Sequence, residues 1–162
     1  MIRREGITVF GTTPSLLSLL IEVPGFEQCS SLRMVVSGGE VLTSDLQKRF
    51  FARSHARLLN IYGPTETTIS ATHWECCRGH CDPQVPIGFP VAGARIYLLN
   101  SQGEPVPDGS EGEIYIGGPG VGLGYHHRDD LNRERFLKDP SGSDPGGRLY
   151  RTGESNSSSL SS

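Results

Sequence analysis

The first half of the chain alternates short apolar segments with longer segments that carry apolar residues at helical spacing. The apolar segments, residues 7–10, 32–36 and 58–61, are rich in β-branched side chains and too short for buried helices, so each predicts a strand. Between them, residues 13–20 and 44–50 place leucine or phenylalanine along one helical face. The resulting βαβαβ order predicts an α/β fold in which helices cover a parallel sheet.

Polar residues mark where both helices should begin. Thr13 is predicted as the N-cap of the first helix, with Pro14 in its first turn, where the missing N–H costs no helical hydrogen bond. The second helix is predicted to open with a capping box formed by Ser44 and Gln47. Polar loops also follow two of the strands, and open parallel sheets bind ligands beyond the carboxyl ends of their strands.

The pattern changes in the second half of the chain. Residues 94–99 and 112–117 alternate polar and apolar side chains, and the turn residues 100–104 lie between them, so we predict an antiparallel, barrel-like unit with a short helix over residues 129–137. We therefore divide the predicted domain, residues 1–154, into an α/β portion at 1–82 and a β-rich portion at 83–154. The serine-rich residues 155–162 are predicted to be a disordered tail that does not belong to the domain.

Charge and hydropathy exclude some classes of partner. The 162 residues include 15 basic and 18 acidic side chains, for a net charge of −3, and no long basic run is present, so we expect no nucleic-acid binding. The longest apolar run, residues 16–20, is far too short to span a bilayer, and no apolar signal region follows the charged first residues. We expect no membrane association and a cytoplasmic location.

Histidines and cysteines cluster at residues 73–81. The cluster contains His73, Cys76, Cys77, His80 and Cys81, but its spacing fits no standard zinc pattern, and adjacent cysteines would point apart in a strand. We interpret this segment as a variable surface loop, with a zinc site as the weaker alternative.

The richest chemistry lies in residues 60–68, NIYGPTETT, which follow the third predicted strand. An aromatic ring can stack on a nucleobase, and an amide can hydrogen-bond to the edge of that base. A hydroxyl can contact a phosphate oxygen, and one carboxylate suits Mg²⁺ when nucleotide phosphates and water complete its coordination. The Gly63-Pro64 pair favours a turn that points these groups in one direction.

This segment resembles the NxYGPTE core of adenylate-forming enzymes, and especially of the amino-acid-activating adenylation domains of nonribosomal peptide synthetases. Further segments resemble that family in the same order: residues 7–17 (ITVFGTTPSLL), 32–42 (LRMVVSGGEVL), 85–90 (VPIGFP), 112–125 (GEIYIGGPGVGLGY) and 149–154 (LYRTGE). The resemblance implies that residues 1–154 are part of the large N-terminal domain of such an enzyme, a partial AMP-binding domain.

The resemblance also implies roles for individual residues toward ATP and Mg²⁺. Backbone contacts around the adenine are expected from three residues of one loop, Gly38, Gly39 and Glu40. Asn60 is expected to bind the adenine edge, and Tyr62 to stack on its face. Thr65 is expected to contact the α-phosphate and the acyl carboxylate, and Glu66 to ligate Mg²⁺. The ribose-binding aspartate of the family aligns with Glu154, whose extra methylene would displace the carboxylate.

A substrate side-chain pocket is implied in the same way. Its lining is expected from six residues: Gly11, Val35, Ser37, Ile61, Ile69 and Ser70. Val35 and Ile61 lie on predicted buried strands, so an ordinary core position is a strong alternative for both. Ser37 and Ser70 are more informative, because a hydroxyl at a strand end usually meets a ligand or water. None of the six side chains is charged, which favours a neutral amino acid.

The glycine-rich run at residues 117–124 is interpreted as structural. It lacks both GxxxxGK[ST] and the third glycine of GxGxxG, and no obvious long helix follows it. Glycines in such a run allow turns and close packing of backbone segments.

The implied reaction joins an amino acid and ATP to give aminoacyl-AMP and pyrophosphate. The aminoacyl group then passes to the phosphopantetheine thiol of a peptidyl carrier protein or domain, so carrier and neighbouring synthetase domains are the expected partners. Two features of the family, a phosphate loop and a catalytic lysine in a C-terminal domain, are not found in this sequence. We therefore expect an internal fragment that is inactive alone. Two alternatives stay open, namely another adenylate-forming ligase of the acyl-CoA synthetase type and a non-catalytic nucleotide-binding remnant.

Overall fold

A computed structural model describes residues 1–79, 84–139 and 147–157. The chain divides into two compact units. The first contains residues 1–62 and 72–89, and the second contains residues 63–71 together with the chain from residue 90 onward. A short loop, residues 63–71, thus interrupts the first unit and belongs to the second. The division between residues 82 and 83 stays a prediction.

The first unit contains a five-stranded sheet in the order β1-β2-β3-β4-β5. Its strands are β1 (Val9–Thr12), β2 (Met34–Gly38), β3 (Arg57–Tyr62), β4 (Thr72–Cys76) and β5 (Phe89–Pro90). Strands β1, β2 and β3 are mutually parallel, and β4 is antiparallel to β3. Helices α1 (Pro14–Leu20) and α2 (Ser44–Arg53) connect the parallel strands. The predicted βαβαβ arrangement is confirmed.

One face of this sheet and the helices enclose the core of the first unit. Val35 of β2 lies beside Leu58 of β3 in register, and both side chains are fully buried. Leu17 of α1 and Phe50 of α2 pack into the same cluster, where both are also completely buried. Each such side chain contributes about 1.5–3 kcal/mol by leaving water, so this face fixes the positions of the strand ends.

The helix caps agree with the prediction at α1 and differ from it at α2. The Thr13 side chain accepts a hydrogen bond from the Leu16 N–H at 3.4 Å, as expected for an N-cap. At α2 the cap is Thr43, whose hydroxyl accepts from the Leu46 N–H at 3.2 Å, so the predicted cap at Ser44 is wrong by one residue. Thr43 has the extended backbone that a cap needs, whereas Ser44 is already helical and buried.

Strand β4 corrects the interpretation of residues 73–81 as a surface loop. Its antiparallel pairing with β3 places His73 beside Ile61 and Cys76 beside Leu58. Cys76 is buried and Cys77 is exposed, because successive side chains of an extended chain point to opposite sides. His80 and Cys81 lie outside the described residues, and the described residues contain no cluster of three or more possible metal ligands.

The second unit contains a four-stranded antiparallel sheet in the order β6-β7-β9-β8. Its strands are β6 (Arg95–Leu99), β7 (Glu111–Gly117), β8 (Phe136–Lys138) and β9 (Arg148–Ser157), and helix α3 (Asp129–Arg135) precedes β8. The antiparallel prediction is confirmed. The sheet does not close into a barrel in the described part of the chain, because β6 and β8 are its two edges and are not paired with each other.

The C-terminal strand also changes the predicted start of the tail. Residues 155–157 continue β9, with Ser155 beside Glu113 and Ser157 beside Glu111 of β7. The expected disorder from residue 155 is therefore corrected for these three residues, whose backbone pairs with a long neighbouring strand. Residues 158–162 lie outside the described residues.

No helix in residues 1–79, 84–139 and 147–157 combines the length and the apolar character that crossing a membrane requires.

Candidate functional site

The loop that follows β2 carries the three residues expected around adenine. A Cβ placed on Gly38 would lie 2.4 Å from Cγ1 and 2.8 Å from the carbonyl oxygen of Ile61, so only glycine fits there. Gly39 has φ of 82°, a left-handed conformation that favours glycine. Together the two glycines let the backbone turn sharply at the end of β2 and leave its peptide groups accessible.

Glu40, the third residue of this loop, is exposed and holds the start of α1. Its carboxylate accepts hydrogen bonds from the hydroxyl and from the backbone N–H of Ser15, the latter at 3.0 Å. These two bonds, led by that of the hydroxyl, lower the pKa of the Glu40 carboxyl. The side chain therefore ties the loop to the helix, while the backbone of the loop stays available for a ligand.

Strand β3 ends with the amide and the aromatic ring predicted to contact adenine. Asn60 is only 4% exposed, and its side-chain N–H₂ donates to the Pro86 carbonyl oxygen at 2.8 Å. Tyr62 is half-buried and lies beside Thr72 of β4. Asn60 is thus held rigidly by the segment that precedes β5, a contact that constrains how its amide can meet a base.

The substrate-pocket residues of the first unit lie on opposite faces of the sheet. Val35 and Ser37 face the helices in the strand register, whereas Gly11 and Ile61 belong to the other face. Val35 is part of the core, which favours the ordinary core position that the sequence left open for it. Ser37 is fully buried, and its hydroxyl has no hydrogen-bond partner among the described residues. Nothing lies within 4 Å of a Cβ built on Gly11, so space is open at that position.

The loop at residues 63–71, in the second unit, carries the predicted phosphate and metal residues. It is tightly closed, since a Cβ on Gly63 would lie 2.6 Å from the Ala71 nitrogen and 2.7 Å from the Ile69 oxygen. Thr68 and Ile69 have φ of 61° and 71°, which is strained for β-branched residues. Such strain costs about 1–3 kcal/mol per residue and occurs most often at functional sites.

Glu66 lies in the 3₁₀ turn Thr65–Thr67 of this loop and is half-buried. Its carboxylate accepts a hydrogen bond from the Tyr125 hydroxyl, and the Tyr150 hydroxyl lies 3.3 Å from that of Tyr125. Burial alone would raise the pKa of Glu66, but the Tyr125 hydrogen bond and further contacts, with Tyr150 and the Arg135 charge among them, outweigh it and lower the pKa. The carboxylate is therefore charged at neutral pH.

The neighbours of Glu66 fit a hard cation at this carboxylate. Burial is the main cause that raises the pKa of Tyr125, so its hydroxyl stays protonated and donates to Glu66. Thr65 is exposed beside it and offers a hydroxyl oxygen. One ionised carboxylate is what Mg²⁺ takes from a protein when phosphate and water oxygens fill its other positions. The remaining pocket candidates of the loop differ in exposure, since Ile69 is 64% exposed and Ser70 is half-buried.

Glu154, aligned with the ribose-binding aspartate, is exposed on β9. The turn before it is fixed by Glu113 of β7, whose carboxylate accepts from the Gly153 N–H at 3.0 Å. Arg151 donates two further hydrogen bonds to Glu113, at 2.8 and 3.0 Å. The hydrogen bond from Arg151 is the main reason that the pKa of Glu113 lies below its ordinary value.

This ion pair predicts a pH-dependent loss of stability in an Arg151→Gln variant. Because the pKa of Glu113 is lowered by folding, the stabilisation is present above the ordinary value of 4.5 and is lost as the pH falls through the lower pKa of the folded state. Both side chains are partly exposed, so the variant should lose at most about 1 kcal/mol at neutral pH. Urea unfolding at several pH values measures this difference, which should vanish in acid. Arg133→Gln on α3 is the matched control, and an equal effect there, or a loss independent of pH, would contradict the assignment.

The residues that the sequence analysis missed are those that surround Glu66. Tyr125 directly follows the glycine-rich run at residues 117–124, and Tyr150 begins the YRTGE string. The sequence assigned a role to neither of them. Both tyrosines lie in strings that resemble the family, and this resemblance was the one signal in the sequence that could have pointed to them. Their roles were hidden because Tyr125 and Glu66 are 59 positions apart in the sequence.

Three parallel strands with glycine-rich and polar loops at their carboxyl ends place the first unit among α/β proteins, which bind ligands such as nucleotides at these strand ends. The model of the AMP-binding enzyme family matches residues 1–126, which is most of the chain, and the chain belongs to this family. Among its relatives, tyrocidine synthase 3 of Brevibacillus parabrevis is 44% identical over 154 residues. Phosphinothricin tripeptide synthetase PhsB of Streptomyces viridochromogenes is 47% identical over 151 residues. CymA of Salinispora arenicola, which is named as a nonribosomal peptide synthetase, is 41% identical over 155 residues.

Solved structures agree with this assignment. The N-terminal subdomain of Klebsiella oxytoca NpsA, solved with 3-hydroxybenzoyl-AMSN, matches with a TM-score of 0.81 and 26% identity over 95% of this chain. The chain spans 38% of that NpsA chain, 12% of PhsB and 2% of tyrocidine synthase 3, while covering 93–95% of its own length in each match. In sequence and in fold it therefore corresponds to a segment of the adenylation domains of nonribosomal peptide synthetases.

Proposed function

We propose that this chain contributes nucleotide and metal contacts to an adenylation domain that activates an amino acid with ATP. The observation that carries the proposal is the charged, half-buried carboxylate of Glu66 in a strained loop, within a segment that matches the family. Peptide synthetases among the relatives support amino-acid activation over other adenylate-forming reactions.

Each residue keeps the role toward ATP, Mg²⁺ or the amino acid that the resemblance implied. The backbone at Gly38, Gly39 and Glu40 contacts the adenine, Asn60 meets its edge, and Tyr62 stacks on its face. Thr65 contacts the α-phosphate and the amino-acid carboxylate. Glu66 binds Mg²⁺, which when present neutralises phosphate charge. Glu154 contacts the ribose, with a longer side chain than the aspartate that it replaces.

In the proposed reaction a carboxylate oxygen of the amino acid attacks the α-phosphorus of ATP, and pyrophosphate leaves. Holding the two reactants in line lowers the barrier by removing their translational and rotational freedom before the bond forms. The phosphopantetheine thiol of a carrier protein or domain then attacks the aminoacyl carbonyl, so that a thioester forms and AMP leaves. Neighbouring synthetase domains are further partners. A cytoplasmic location remains a prediction.

The proposed amino acid is neutral and of medium to large size. Open space at Gly11 leaves room for a side chain. Ile61, which lies on the same face of the sheet as Gly11, is apolar, and none of the six residues implied for the pocket carries a charge. An unpaired charged side chain buried there would cost several kcal/mol, which disfavours Asp, Glu, Lys and Arg as substrates.

The proposal is tested by grafting this chain in place of the matching segment of PhsB. We expect the graft to catalyse amino-acid-dependent exchange of pyrophosphate into ATP, stimulated most by neutral amino acids. PhsB that retains its own segment is the positive control. Exchange stimulated by fatty or aryl acids and by no amino acid would favour an acyl-CoA synthetase type of ligase. A folded graft with no exchange at all would favour a non-catalytic remnant.

A further inference from the structure

The glycine-rich segment, residues 117–124, lies directly against the backbone of Glu66. The Gly122 N–H donates to the Glu66 carbonyl oxygen at 2.7 Å. Two residues further along the loop, the Thr68 hydroxyl donates to the Gly120 carbonyl oxygen at 2.8 Å. The segment therefore holds the 3₁₀ turn at Glu66 itself and at Thr68, the residue that ends the turn.

This close approach favours glycine at two positions of the segment. A Cβ on Gly120 would lie 3.0 Å from the Thr67 carbonyl oxygen, and a Cβ on Gly122 would lie 3.2 Å from that of Glu66. Both distances are shorter than ordinary contacts, and the neighbouring atoms belong to the backbone, which cannot rotate away. This supports the interpretation of the glycine run as a close-packing element, and it identifies what the run packs against.

The tyrosine that follows the segment is itself fixed in place. Its backbone N–H donates to the Asn132 side-chain oxygen at 2.6 Å, and its carbonyl oxygen accepts from the Asn132 side-chain nitrogen at 2.9 Å. The Tyr125 ring packs edge-on against Phe136 with centroids 5.4 Å apart, and Phe136 packs against Tyr150 at 5.2 Å. The Tyr125 hydroxyl thus reaches the Glu66 carboxylate from an anchored ring.

We propose that Tyr125 is a positioning residue for the metal-binding carboxylate of Glu66, and that the glycine-rich segment fixes the turn on which Glu66 is carried. The inference rests on the metal role proposed for Glu66. A phenol restrains the carboxylate without bringing a positive charge, so it does not compete electrostatically with a cation. Arg135 acts on Glu66 through its charge, and the Tyr150 hydroxyl contacts both Glu66 and the Tyr125 hydroxyl.

The test measures ATP affinity of the full 162-residue chain by calorimetry, with saturating Mg²⁺ and with EDTA. The dissociation constant in EDTA divided by that in Mg²⁺ gives a ratio that isolates the contribution of the metal. Tyr125→Phe, which removes a single oxygen, should reduce this ratio about tenfold, as losses of groups that orient metal ligands do. Tyr115→Phe, a buried tyrosine of β7 in the same unit, is the matched control and should leave the ratio unchanged.

A double-mutant cycle separates positioning from a general structural role. If Tyr125 acts through the carboxylate, Tyr125→Phe should have no further effect on the ratio in a Glu66→Gln background. Equal effects in both backgrounds, or a silent Tyr125→Phe when Glu66→Gln lowers the ratio, would overturn the inference and leave the proposed function intact. A silent Glu66→Gln, or no ATP binding by the unsubstituted chain, would overturn the proposed metal role and the inference with it.

Discussion

Replacing Glu66 by glutamine in the PhsB graft is expected to reduce amino-acid-dependent pyrophosphate exchange by about 10² to 10³, as the loss of one preorganised electrostatic contact typically does. Glutamine keeps the size of the side chain and can still accept the Tyr125 hydrogen bond through its carbonyl oxygen. It removes only the negative charge that a divalent cation needs. The expected loss is therefore in kcat and in Mg²⁺ dependence, with a small change in thermal stability.

Glu111→Gln provides the matched control for that variant, because Glu111 is an exposed carboxylate at the start of β7 in the same unit. Its exchange rate should equal that of the unsubstituted graft. Raising the Mg²⁺ concentration should partly restore the Glu66→Gln variant, since a weakened site is refilled by mass action. Normal exchange by Glu66→Gln at limiting Mg²⁺ would show that this carboxylate does not bind the metal.

The parallel half of the fold could be predicted because its pattern is local. The strands contain short runs of apolar residues, and the leucines and phenylalanines of α1 and α2 recur at helical spacing. The predicted strands overlap β1, β2 and β3 but start two residues early at β1 and β2. Such boundaries depend on which backbone groups find partners in the neighbouring strand, and the apolar pattern does not contain that information.

Strands β4 and β9 were missed because their sequences carry weak local signals. β4, with the sequence THWEC, mixes polar and apolar residues, and only its pairing with β3 makes it a strand. β9 contains a glycine with φ of 79° and ends in polar residues, yet it pairs with β7 over most of its length. Long-range pairing, rather than β-propensity, determines both.

In the candidate site, too, local features could be predicted from the sequence and long-range contacts could not. The chemistry of residues 60–68 could be recognised from the sequence, because those groups are adjacent. The sequence could not show that Val35 and Ser37 lie on the opposite face of the sheet from Gly11 and Ile61. That arrangement depends on the register of three strands. The hydrogen bond between Tyr125 and Glu66 likewise requires a fold that brings distant segments together.

Replacing Gly88 by alanine should destabilise the first unit by about 3 kcal/mol, combining left-handed strain with overpacking. Gly88 has φ of 81°, and a Cβ there would lie 1.9 Å from the carbonyl oxygen of His73 in β4. Relief requires moving the segment before β5, which accepts hydrogen bonds from Asn60 at Pro86 and from Thr72 at Ile87. The variant should therefore also disturb Asn60, the residue proposed to meet the adenine edge.

Gly39→Ala separates the steric effect from the strain, because Gly39 has a similar φ of 82° and nothing within 4 Å of a built Cβ. It should cost only about 1 kcal/mol, the strain of a left-handed alanine. Urea unfolding of both variants, with amide exchange at residues 58–62 as a local probe, measures the difference. Equal losses for the two variants would mean that β4 and the segment before β5 separate easily. In that case the bond from Asn60 to Pro86 could not be what fixes the amide for a nucleotide.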